Sequence, residues 1–181
     1  MTESWVDDVL HFWFVELPPL AWFSGDASTD ALVRTRFLTL HEDLRRVLPP
    51  GALLAPEPAL ATVIALDQFP RNLYRGQAET YAADAAALAA AERAVALGFD
   101  RAFDPTRRLF LYLPFTHAED RAMQARSVEL CESLGDAEVL GYARRHQEVV
   151  DRFGRFPHRN AILGRPSTAE EIEFLKAGRG F

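Results

Sequence analysis

The sequence predicts an all-α fold, and three observations carry that prediction. Apolar residues recur at three- and four-residue spacings nearly throughout the chain. No stretch shows sustained alternation with a period of two, and the interruptions are short and rich in helix-start and helix-stop residues. At 181 residues, the chain is read as one domain, residues 1–181, of packed antiparallel helices and helical hairpins. A chain of this size can remove about 70% of its unfolded surface from water without disulfides.

The elements follow in order. A first helix around Ser4 to Val15 places Val6, Val9, Leu10, Trp13 and Phe14 on one face. A second carries the stripe Val33, Phe37, Leu40, Leu44 and Val47, with Ser28 and Thr29 as candidate N-caps and Pro49-Pro50-Gly51 closing it. A third runs from Pro56 to Phe69 and is stopped by Pro70. From Glu79 to Leu97 an alanine-rich helix carries Tyr81, Ala85, Leu88 and Val95, and Gly98 sits where a C-terminal cap belongs. Asp104-Pro105 reads as N-cap and first residue of a short helix through Leu113. Thr116-His117-Ala118-Glu119 has capping-box spacing and opens a helix to about Leu134, with Gly135-Asp136 as the turn. The next helix, Ala137 to Phe153, puts Val139, Ala143, His146, Val150 and Phe153 on one stripe. Thr168 and Glu171 fit a second capping box at a last short helix.

Composition narrows the function classes. The net charge of −6 argues against general nucleic-acid binding, which needs a basic surface. No apolar run approaches the ~18 residues that span a bilayer, and Met1 to Asp8 is acidic where a signal peptide carries positive charge. The single Cys131 allows no internal disulfide and suits a reducing compartment. Together these predict a soluble cytoplasmic protein.

One phrase occurs twice. Leu66-Asp67-Gln68-Phe69-Pro70-Arg71-Asn72-Leu73-Tyr74-Arg75 is echoed by Phe153-Gly154-Arg155-Phe156-Pro157-His158-Arg159-Asn160, with Arg165 following. Asp67 shares a helical face with Leu60 and Ile64, so its carboxylate points inward, and Arg71 and Arg75 are its natural partners. Residues 151–165 hold Arg152, Arg155, Arg159 and Arg165 against Asp151 alone. Guanidinium forks suit carboxylate or phosphate in two-point geometry. Such arginines are either braces to acidic helices or an anion site, and the sequence leaves both open.

The histidines divide. His146 lies mid-stripe and faces inward, His158 lies inside the arginine loop, and His117 falls at the start of its predicted helix, where the dipole favours a neutral ring. His11 and His41 fall on polar faces and are read as solvated. His117, His146 and His158 match no metal-ligand spacing, and no phosphate loop or dinucleotide fingerprint is present, so neither metal nor cofactor is expected. Cys131 has no activating setting.

The segments Leu10 to Phe14, Leu66 to Arg75, Tyr112 to Glu119 and Phe153 to Arg165 resemble the domain-of-unknown-function family numbered 924, over essentially the whole chain. The resemblance implies an all-helical, tetratricopeptide-like fold and no transferable activity. It also leads one to expect a serine-like residue where Ala118 stands.

Two readings of function follow. In the first, Asp67, Arg71, Asn72, Arg75, His117, His146, Arg155, His158, Arg159 and Asn160 line an inter-helix pocket for a small anionic metabolite. In the second, the helices form a module that binds a peptide or partner protein. A third outcome is that the arginines are braces only.

Overall fold

The structure is a computed structural model that describes residues 4–178; of the acidic stretch Met1 to Asp8, the first three residues lie outside them. The fold is all-helical, with no strand among the described residues. The chain divides into two compact units. The first comprises residues up to Arg75 together with Glu79–Pro114, and the second Gly76–Ala78 with residues from Phe115 onward. No helix among the described residues is long and apolar enough to cross a membrane.

In the first unit, α1 (Ser4–His11) runs into a π-helical turn at Phe12–Glu16. Asp26 caps α2 (Ala27–Arg46) by accepting from the Thr29 N–H, so the cap is two residues earlier than Ser28. The buried stripe of α2 is Thr29, Val33, Phe37, His41 and Leu44, whereas Val47 is 75% exposed. His41 is therefore wholly buried and not solvated as its flanking polar residues suggested.

Pro70 does not stop the third helix. α3 (Pro56–Val63) passes through a π-helical turn, Ile64–Gln68, into α4 (Phe69–Leu73), with Pro70 inside the run. The wide turn is a response to the proline. An ordinary turn would press the pyrrolidine ring against the carbonyl four residues back. Here the Phe69 N–H reaches back to the Ile64 carbonyl, and the wide-turn partner of the Ala65 carbonyl is residue 70, which has no N–H. His41 fills that gap, with Nδ1 2.8 Å from the Ala65 oxygen. A carbonyl only accepts, so Nδ1 carries the hydrogen and the neutral ring leaves Nε2 bare. Burial pushes the His41 pKa down, which keeps the ring uncharged.

This arrangement predicts a coupling. His41→Phe should destabilise the first unit by about 1–3 kcal/mol, because it strands a buried carbonyl. In a Pro70→Ala background, which restores an N–H, the same change should cost about 1 kcal/mol less. Urea denaturation followed by tryptophan fluorescence measures both, since Trp5, Trp13 and Trp22 all belong to the first unit. Additive costs would contradict the account.

α3 also packs on α5 (Asp84–Ala96). The buried face of α5 is Ala87, Ala90, Ala91 and Ala94, not the stripe of larger residues, because small side chains on both helices allow close approach. Gly98 takes the left-handed conformation expected after the helix end, at φ 73°. α6 (Pro105–His117) continues past Leu113, with Pro114 inside it.

In the second unit, Thr116 does not open a helix. Thr116 and His117 end α6, and α7 (Arg121–Glu132) begins after Asp120, whose carboxylate accepts from the Met123 N–H at 2.9 Å. α7 and α8 (Ala137–Phe153) form a helical hairpin across a short turn, with Asp136 capping α8. Pro157–Arg159 makes one 3₁₀ turn, which packs on α9 (Ala169–Lys176). The Thr168–Glu171 capping box is present as expected.

Candidate functional site

The two copies of the repeated phrase adopt different backbones. Phe69-Pro70-Arg71-Asn72 is helical in the first unit, and Pro157-His158-Arg159 is a 3₁₀ turn in the second. Each presents its polar groups differently as a result.

In the first unit, Asp67 is 1% exposed in the π-helical turn. Arg71 lies one turn on, with Nη1 3.4 Å from the Asp67 carboxylate and 3.0 Å from that of Asp84. Burial works against the Arg71 charge, and Asp67 with Asp84 more than offsets it, so the pKa rises. Arg71 also donates to the Asp67 backbone carbonyl. Asn72 and Arg75 both turn to Asp30 of α2, Asn72 at 2.8 Å and Arg75 in a two-point contact at 2.8 Å each. Arg75 thus braces α2 rather than joining Asp67.

In the second unit, three arginines of the loop meet carboxylates. Arg152 contacts Glu170 at 2.6 Å. Arg155 forks onto Glu171 at 2.7 and 2.9 Å, and Arg165 onto Glu119 at 2.6 and 2.9 Å. Glu171, 2% exposed, also accepts from the Thr168 N–H at 2.7 Å. The Arg155 hydrogen bonds lead in holding its pKa down at about 2. Burial raises the Glu119 pKa, but Arg165 and the Phe156 N–H overcome it and hold the group ionised. Asn160 is fully buried, donating to Ser167 at 3.0 Å and accepting from Arg165 at 3.0 Å. Arg155 and Asn160 therefore fix the loop against α9.

Of the four remaining predicted residues, three gather around one ring, and the fourth, His117, is joined to them through its backbone carbonyl. Phe156, 0% exposed, has the Arg159 guanidinium 4.6 Å from its centroid, His146 at 5.4 Å and His158 at 5.7 Å. Arg159 donates to the His117 carbonyl at 3.0 Å. Gln124, wholly buried, donates to the neighbouring Thr116 and Ala118 carbonyls at 2.7 Å each. These donors meet the carbonyls that a helix end leaves without partners, and so place His117 at the C-terminus of α6 instead of a helix start. His146 Nδ1 sits 3.0 Å from the Tyr142 carbonyl, one turn back on α8, which fixes its tautomer.

Both imidazoles are held neutral. Burial leads in lowering His146 to about 3; the hydrogen bond to the Tyr142 carbonyl works against it, and the Arg159 charge adds to it. Burial and then Arg159 lower His158 to about 4. Groups titrating that far below neutrality are weak proton acceptors at pH 7. They supply hydrogen bonds without charge, and they are poorly matched to general-base work. No group of three histidine, cysteine, aspartate or glutamate side chains is disposed to hold a metal ion among the described residues. Cys131 is buried and its thiol pKa is pushed up by burial, so it is not an activated nucleophile.

Sequence reasoning missed Glu119 and Glu171 as the acids that receive the arginines, and Tyr142 and Phe156 as the rings of the cluster. Glu119 was assigned to a capping box that does not form. The Phe residues of a Phe-Pro phrase carry a signal only when the proline turn is known to point inward.

A family model described as "Bacterial protein of unknown function (DUF924)" matches residues 9–179. The chain is similar to the solved structure of a protein of unknown function, ATU0120, from Agrobacterium tumefaciens. Identity is 42%, the match covers 98% of this chain and 100% of that one, and the TM-score is 0.94. A comparison with curated proteins finds no match.

Proposed function

We propose, for a chain that belongs to the bacterial family of unknown function DUF924, that its second unit binds a small anionic metabolite at the cluster of His117, His146, His158 and Arg159. The observation that carries the reading is the convergence of one guanidinium and two neutral imidazoles on the buried Phe156 ring. Perturbed titration concentrated in one place is a recognised mark of functional sites. The guanidinium supplies charge and a planar fork, while the imidazoles add hydrogen bonds without adding charge. The titration of both rings far below neutrality favours binding over proton abstraction. Arg155, Arg165 and Asn160 act as the frame that holds the loop. We place the protein in the cytoplasm on its single, buried, unpaired cysteine.

The test is a thermal-shift screen of carboxylated and phosphorylated metabolites on the native protein, on Arg159→Gln and on His146→Gln. A ligand at about 100 times its Kd should stabilise the native protein by about 2.7 kcal/mol. Arg159→Gln should abolish the rise in Tm, and His146→Gln should weaken binding by about tenfold, one lost hydrogen bond. No rise across the anion panel would overturn the reading. The exposed Val15, Leu20 and Phe23 of the first unit, at 65%, 89% and 65%, support the second reading, docking of a protein or peptide. Capture of a peptide lost in Leu20→Ser and Phe23→Ser but not in Arg159→Gln would favour it.

A further inference from the structure

We infer that the first unit carries a two-fold interaction surface whose occupant is a second copy of this chain. The inference is independent of the anion site, and it commits the surface around Val15, Leu20 and Phe23 to one partner. Those side chains are 65%, 89% and 65% exposed. Leu32, 48% exposed, stands one turn before Arg36 on α2, on the side where Arg36 reaches Glu16. Apolar side chains scattered singly over a surface need no explanation, whereas a cluster of them marks a contact site.

The surface is stiff. Val15 lies in the π-helical turn Phe12–Glu16, a feature common at functional sites. Trp22 donates its indole N–H to the Trp13 carbonyl at 2.8 Å. Phe23 stacks on the buried Phe110, with centroids 6.1 Å and planes 7° apart. Phe14 and Trp22 close on the same ring at 5.4 and 5.1 Å. Exposed side chains that rest on a fixed aromatic floor lose little freedom when they are covered.

The charges at this surface select the partner. Arg107 of α6 lies over Phe14, its guanidinium 5.4 Å from the ring centroid. Its ion pair with Asp104 is long, 3.9 Å, between two exposed side chains, so the fork is held weakly. Glu16 follows Val15, and its carboxylate is 39% exposed beside Arg36 at 2.5 Å. One apolar surface thus offers both a guanidinium and a carboxylate. A surface with both signs is complementary to itself, which is what a two-fold interface needs, since each residue meets its counterpart reciprocally. Two copies of a chain with net charge −6 repel each other at long range. A pair of Arg107–Glu16 contacts, one on each side of the axis, offsets that repulsion where the apolar side chains meet.

Sedimentation equilibrium tests the inference. The native protein should move with rising concentration from the mass of one chain toward twice that mass. Leu20→Asp should raise the dissociation constant of the pair about tenfold, as for an apolar side chain at the centre of an interface. Arg107→Glu alone and Glu16→Arg alone should each raise it about tenfold, because each places like charges at both contacts. An equimolar mixture of Arg107→Glu and Glu16→Arg should recover the association, because opposite charges then face each other at both contacts of the mixed pair. Circular dichroism checks that each variant keeps the helical fold. A native protein that stays monomeric up to millimolar concentration overturns the inference. A pair that Leu20→Asp leaves intact overturns it too, and so does a mixture without recovery. No anion enters the assay, so its failure is distinct from failure of the metabolite panel.

Discussion

Replacing Arg71 by leucine is expected to destabilise the first unit by about 3–5 kcal/mol at pH 7, the range for removing one partner of a buried ion pair. Arg71 stands between two carboxylates, Asp67 at 3.4 Å and Asp84 at 3.0 Å. Leucine keeps the bulk of the stem and removes the charge and the donor to the Asp67 carbonyl. Asp67, 1% exposed, then sits in a low-dielectric turn without this guanidinium. Its carboxyl pKa in the folded variant should rise above the unfolded value. A group of that kind favours folding below its unfolded pKa and disfavours it as pH rises through the folded one. The penalty of Arg71→Leu should therefore shrink as pH is lowered toward the ordinary aspartate range, about 3.9. Urea denaturation by tryptophan fluorescence at a series of pH values checks the sign. A penalty that grows on acidification would contradict the assignment.

Phe69→Ala is expected to cost a further unit-wide loss of about 3–5 kcal/mol. The side chain is 0% exposed. Its ring lies 4.7 Å from Phe37 of α2, 5.8 Å from Trp13 and 6.4 Å from Phe12. Truncation opens a cavity at the point where the two π-helical turns and α2 meet. Those neighbours are themselves aromatic and fixed in rotamer, so they cannot close over the space. Phe69→Leu should cost about 1.5 kcal/mol, because most of the volume remains. The Trp13 environment makes the change visible as a shifted emission maximum as well as a lower urea midpoint. A loss below about 1 kcal/mol for the alanine variant would mean the site collapses and the ring cluster is not what holds the unit.

The helices themselves were readable from periodicity, and α8, the turn before it and the Thr168 capping box stand where spacing put them, whereas α7 starts five residues later than Thr116. Interruptions were less legible, and for one reason. A proline is a helix terminator only if the backbone cannot widen around it, and that depends on a distant donor. Pro70 is tolerated because His41 answers the Ala65 carbonyl, 24 positions away in sequence. Window-based reading sees neither partner of such a pair. The same blindness put His41 in solvent and assigned Glu119 to Thr116. Of the candidate site, the inward turn of Asp67 and the burial of His146 followed from helical faces. What each arginine holds did not, because ion-pair partners such as Arg165 and Glu119 are 46 positions apart. A fork with many carboxylates to choose from is matched only by the fold.

The widened turn at Ile64–Gln68 also works as an indexing step. A π-helical turn absorbs one surplus residue, and one residue of ordinary helix corresponds to about 100° of rotation. Within the first unit, residues 69–75 are thereby dialled round relative to α3. Arg71, Asn72 and Arg75 reach Asp84 and Asp30 because of that offset. Trimming Ala65 from this stretch would keep every charged side chain in the sequence and point Arg71, Asn72 and Arg75 at the wrong neighbours.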